Sequence, residues 1–162
     1  MPEQNFTMNT KAGYAGDLYG LTFTNSQRNT YIASVGGTIE WGCAIKSTDN
    51  RTATAGINAD GTINGVVIRA LNVEQATRPG DGSVFYYEGT ALAVLEEGYI
   101  QVDMSGAAVG GKVYVTSDGK FTTSSTDGTE CTNASVFRAA DSDGLTVLWI
   151  ENHLAVKPEA TA

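Results

Sequence analysis

The chain has 162 residues, of which 41% are hydrophobic and 17% charged, and 18 acidic against 10 basic side chains give a net charge of -8. These values suit a single domain with its own core and exclude a chain kept disordered by charge. The acidic balance argues against a nucleic-acid backbone or an anionic membrane as partner, and no apolar run approaches the roughly 20 residues of a membrane span.

Residues 1–30 are mostly Asn, Thr, Gly, Gln and Ser, with isolated aromatic residues at Phe6, Tyr14, Tyr19 and Phe23. The first five residues lack the basic and apolar regions of a secretory signal. So polar a segment hides little apolar surface by itself. It reads as an N-terminal arm that orders against a partner, or as a long loop folded back over its own domain.

From residue 31 the hydrophobic pattern has the period of two that marks half-buried strands. Over 38–46, Ile39, Trp41, Cys43 and Ile45 share one face, opposite Glu40, Gly42, Ala44 and Lys46. Further strands are expected over 63–73, 83–88, 90–95 and 99–104, with 71–77 as the best place for a short helix. Tyr86 and Tyr87 point to opposite faces, so one of them should be outside. Residues 112–116 and 120–123 flank Ser117-Asp118-Gly119, whose Asp-Gly step suits a hairpin turn. Strands over 134–139 and 145–150 close the series around Asp141-Ser142-Asp143-Gly144. The last is nearly all apolar and should be a central strand covered on both faces, with Trp149, like Trp41, in the core.

Short strands with a turn signal every ten residues or so predict an all-β fold, a small β-barrel or a jelly-roll-like β-sandwich. The organisation expected is an arm over 1–30, a β core over 31–154 and a frayed tail over 155–162.

Reactive chemistry is sparse. His153 is the single histidine, and no Gly-x-Ser-x-Gly elbow accompanies it. Cys43 and Cys131 fit no metal spacing and read as two free thiols. Glu96-Glu97 and the Asp141/Asp143 pair lie at turns, where adjacent acids are solvated and do not face each other across a cleft. Asp-Gly steps at Asp60, Asp81, Asp118, Asp127 and Asp143 serve turns, and no calcium loop with its distal Glu accompanies them. No enzyme activity, cofactor or metal is expected.

Several segments resemble the structural cement, or decoration, proteins of tailed-phage capsids. Gly13-Tyr14-Ala15-Gly16-Asp17-Leu18 is similar to a segment before that family's first strand, and Ile32-Ala33-Ser34 continues the likeness. Ile39-Glu40-Trp41-Gly42-Cys43-Ala44-Ile45 and Ile63-Asn64-Gly65-Val66-Val67-Ile68-Arg69 resemble its early strands. Glu97-Gly98-Tyr99-Ile100-Gln101-Val102 and Val109-Gly110-Gly111-Lys112-Val113-Tyr114-Val115 resemble a paired glycine-strand unit, and residues 144–150 its closing strand. The likeness spans about 13–150; the longer polar start and the Thr-rich stretch 121–132 depart from the family.

The resemblance implies a virion protein, made in the host cytoplasm, that sits on the capsid exterior as a homotrimer. It would bridge major capsid protein subunits. Tyr14, Leu18, Tyr19 and Phe23 are the arm residues expected to pack on that partner, as the apolar anchors of a polar stretch. A tail or fibre component and a carbohydrate-binding module are the alternative readings.

Overall fold

Strand-forming residues dominate the computed structural model, which describes residues 13–20, 26–34, 39–49, 51–70 and 86–152. In chain order the strands are β1 (Gln27–Ala33), β2 (Ala44–Lys46), β3 (Thr52–Ala55), β4 (Gly65–Val67) and β5 (Ala91–Asp103). They continue with β6 (Tyr114–Val115), β7 (Phe121–Thr122), β8 (Thr129–Glu130), β9 (Ala134–Arg138) and β10 (Leu145–Ile150). Among the described residues there is no helix.

β1, β3, β2, β4 and β5 pair in that order, and β1 returns to β5, closing a five-stranded barrel. The all-β barrel expected from the alternation is the fold observed. Tyr31, Ala33, Ile45, Ala53, Val67, Leu92 and Val94 fill the barrel, with Ile39 and Tyr86 beside them. A second core lies against the outside of β2 and β4. There Ala44 and Val66 meet Ile100, Val102, Val115, Phe121, Val136, Leu148 and Ile150. β4 is therefore buried on both faces, with Val66 in one core and Val67 in the other.

β5 is the strand that joins the two. Residues 91–97 pair with β1, and Leu95 and Val94 pair with β4. Residues 98–103 pair with β10, which in turn carries β9 at the sheet edge. The change of partner falls at a bulge: Gln27 faces Glu97 and Arg28 faces Leu95, so Glu96 is the extra residue. Gly98 follows at φ +135°, a backbone that a side chain would strain. The sequence pattern predicts two strands here, 90–95 and 99–104. They are one strand because the bulge bends the ladder without ending it.

Other boundaries also moved. The run 38–46 contributes only an isolated bridge, Ile39 to Tyr86, and then β2, because the chain turns at Trp41-Gly42 with Gly42 at φ +75°. β4 is shorter than the expected 63–73, since past Val67 the Arg69 amide donates to the Gly16 carbonyl at 2.9 Å. β3 and β8 went unread among Thr-rich residues, and β1 begins inside the segment read as an arm. The hairpin at Asp118-Gly119 forms as expected, with Gly119 at φ +81°. Tyr86 is buried and Tyr87 exposed. The possible helix over 71–77, His153 and the tail 155–162 lie outside the described residues.

Gly65 shows how closely the barrel wall packs: a Cβ there would stand 2.5 Å from both the Leu95 carbonyl oxygen and Val94 Cγ1. Neither atom can retreat without opening the β4–β5 pair. Gly65→Ala should therefore lower the unfolding free energy by about 2–3 kcal/mol in a denaturant titration; an unchanged midpoint would show that the wall is looser than this.

Candidate contact surface

Residues 13–20 lie along the free side of the outer half of β5. The Gly16 amide donates to the Gln101 carbonyl at 2.8 Å, and the Tyr19 amide to the Tyr99 carbonyl at 3.1 Å. The Gln101 amide returns a bond to the Asp17 carbonyl at 2.9 Å, and Leu18 bridges to Ile100. Leu18 packs against the second core, while Tyr14 stays 49% exposed. The segment thus extends its own sheet by a short added strand.

Arg69 clamps the start of this segment. Its guanidinium lies 4.1 Å from the centre of the Tyr14 ring and 5.3 Å from that of Trp41, and its Nη1 is 3.3 Å from Asp17 Oδ1. Trp41, expected in the core, is half-buried, and its Nε1 donates to the Tyr86 hydroxyl at 2.8 Å. A cation held between two rings beside a carboxylate is favourable because the desolvated guanidinium meets two π faces and an opposite charge.

Tyr19 opens a second cluster on the outer face of the sheet. Its ring is 6.4 Å from that of Phe137, which is 4.6 Å from Tyr99, which is 4.5 Å from Trp149. The rings are mutually tilted, the arrangement that aromatic quadrupoles favour. Arg138 Nη1 donates to the Tyr19 hydroxyl at 3.3 Å. Phe137 is 50% exposed and Tyr99 37%. Trp149, expected in the core, is instead half-buried in this stack. Of the four anchors predicted from sequence, Tyr14 and Tyr19 sit in two separate aromatic clusters, Leu18 faces the core, and Phe23 lies outside the described residues. Tyr99, Phe137 and Trp149 were missed as surface residues. Their alternation with buried neighbours was visible, but not which face would stay open.

No reactive centre accompanies these surfaces. Cys43 and Cys131 are free and buried, and burial pushes both thiols up to about 11, so they are poor nucleophiles at neutral pH. Tyr31 is pushed up to about 12 by burial and by donating to Glu96 at 2.6 Å. Among the described residues no three His, Cys, Asp or Glu side chains are grouped to hold a metal.

Comparison with known proteins follows from this geometry. Residues 1–151 match the family described as structural cement protein (E217 gp24/Pam3 gp6). The chain belongs to the structural cement protein family. No curated protein sequence matches it. Three chains of solved structures do. One belongs to "The capsid of Myoviridae Phage XM1": 15% identical, it aligns over 95% of this chain and 100% of its own, with a TM-score of 0.67. That likeness is one of fold. As a structural cement protein, the chain is a capsid-stabilising component of a phage.

Two outcomes test the surface chemistry. Arg69→Ala should speed amide hydrogen exchange at Gly16, Tyr19 and Gln101 by roughly tenfold or more while leaving the slowest barrel amides protected, because it removes the clamp and not the core. Raised thiol pKa values mean that the folded state keeps protons the unfolded state releases. Stability should then be complete below pH 9 and fall between pH 9 and about 11, with Tyr31 extending the fall toward 12. A Cys43→Ala/Cys131→Ala variant should show a shallower decline of melting temperature in the lower part of that window.

Proposed function

We propose that this protein binds the outside of a phage capsid as a homotrimer and bridges neighbouring major capsid protein subunits. The observation that carries the reading is the family match over residues 1–151. The work is done without catalysis: affinity arises from a rigid barrel repeated over a lattice. Each contact made at one point of the shell raises the effective concentration for the next. A net charge of -8 suits an exterior site, since like-charged particles resist clumping. Synthesis in the host cytoplasm accords with two free, buried cysteines.

In this reading Tyr14, Leu18, Tyr19 and Phe23 mark the N-terminal contact with the shell. Leu18 fixes the segment to its own sheet. Tyr14, half-exposed over Arg69, and Tyr19, at the edge of the aromatic face, present ring surface outward. Aromatic anchors are suited to this because they bury large areas while losing few rotatable bonds.

The test is reconstitution. Purified protein titrated onto undecorated capsids should bind saturably, at a fixed ratio to the major capsid protein, and raise the temperature at which the shells open. Tyr14→Ala should weaken that binding while leaving the protein's own melting temperature within a few degrees. Absence of saturable binding would falsify the proposal.

A further inference from the structure

β9 is the outer edge of the seven-stranded sheet, and its ladder fixes which backbone groups face outward. The Glu151 amide donates to the Asn133 carbonyl at 2.9 Å, with Ile150 opposite Ala134, Trp149 opposite Ser135 and Leu148 opposite Val136. In an antiparallel ladder, bonded and non-bonded pairs alternate. Ser135 therefore spends its N–H and C=O on β10, while the N–H and C=O of Val136 point away from the sheet. Its side chain is buried, so the outward feature at this position is backbone alone.

Edges of this kind are usually guarded by lysine, proline or an inward charge. Ala134-Ser135-Val136-Phe137-Arg138 has no lysine or proline, and its one guard is the bulge where Phe137 and Arg138 approach Val147. The charges of this edge are self-complementary. Arg138 is exposed at one end of β9 on the aromatic face, where it reaches the Tyr19 hydroxyl. The exposed Glu151 lies beside Asn133 at the other end, two residues beyond Trp149 and so on that same face.

We propose that β9 is a docking edge for β9 of a second copy of this chain, added antiparallel about a two-fold axis through Val136. The two Val136 backbones then exchange hydrogen bonds, and Ser135 stands opposite Phe137 of the second copy. Arg138 of each copy comes opposite Ala134 of the other, two strands from Glu151 and within reach of its carboxylate on the shared face. The axis thus makes two equivalent ion pairs and brings two exposed phenylalanine rings to one seam. A two-fold contact of this kind joins neighbouring trimers on a shell, so the inference rests on the capsid reading above. The bulge limits the pairing to a few residues, and a net charge of -8 on each copy opposes it in free solution.

Decorated particles give the test. In the register above, Ser135 and Phe137 of the second copy form a non-bonded pair with Cα atoms about 4.5 Å apart, the spacing a disulfide accepts. A Ser135→Cys/Phe137→Cys variant, oxidised on the shell, should therefore run as a disulfide-linked dimer on a non-reducing gel. Wild type and Ser135→Cys alone should remain monomeric under the same oxidant. Independently, Arg138→Glu should shorten retention on the shell by roughly fivefold, as expected for two exposed ion pairs turned repulsive. Arg138→Glu/Glu151→Arg should restore it. Shells fully occupied by the cysteine variant that yield only monomer overturn the inference and leave the capsid reading intact. If that variant does not fold, the charge exchange decides: retention unchanged by Arg138→Glu, or not rescued by the reversal, overturns it. Wild-type protein that never binds shells overturns both.

Discussion

The backbone ladder of β5 is the constraint on which the rest of the molecule depends. One half of this 13-residue strand closes the barrel against β1 and β4. The other half is the base on which β10 and the 13–20 segment are laid. Because side chains alternate along a strand, the bulge at Glu96 does more than bend it. Leu92 and Val94 point into the barrel, while Leu95, Ile100 and Val102 point into the second core. A bulge that reassigns faces lets one strand serve two cores. Without the extra residue, the register would turn one of the two apolar sets toward water.

The two halves are also pinned by amides. Asn133 accepts from the Ile63 amide at 3.0 Å and donates to the Ile63 carbonyl at 2.9 Å, copying a strand pair with a side chain. Asn152 donates to the Asn64 carbonyl at 3.0 Å. These bonds tie the start of β9 and the end of β10 to the barrel wall, and each satisfies backbone groups that the sheets leave over. The outer sheet is thereby held to the barrel by polar bonds as well as by the second core. That rigidity lets the aromatic face and the β9 edge act as preformed surfaces.

Much of this was legible in the residues. Alternation in 99–104 and 145–150, and the glycines at 119 and 144, identified strands and turns that the structure contains. What was hidden follows from the physics of each case. Period two says that two faces differ, not which one a second layer will cover, so Trp149 was assigned to the core when its face is the open one. Thr52 to Ala55 have no apolar contrast to reveal a strand, and β3 exists because β1 and β2 pair on either side of it. Residues 13–20 are polar because they bond through backbone, which the side-chain pattern cannot report. The surfaces of greatest interest were the least visible, since they arise where distant strands are brought side by side.

A protein that acts by repetition must stay single until it reaches its lattice. A short bulged edge on a strongly acidic body has the affinity this requires. If one such contact has a dissociation constant of about 1 mM, it is worth only about 4 kcal/mol. At micromolar free concentration about one copy in a thousand would be paired. Held side by side on a shell, neighbours meet at effective concentrations of about 1 mM or more, and the same contact is then substantially formed. Stronger pairing, by a longer or more apolar edge, would close the contact before assembly and risk open-ended sheets. The bulge, the acidic surface and the modest length of β9 therefore belong to one solution: binding energy that becomes available only where geometry has already placed the partners.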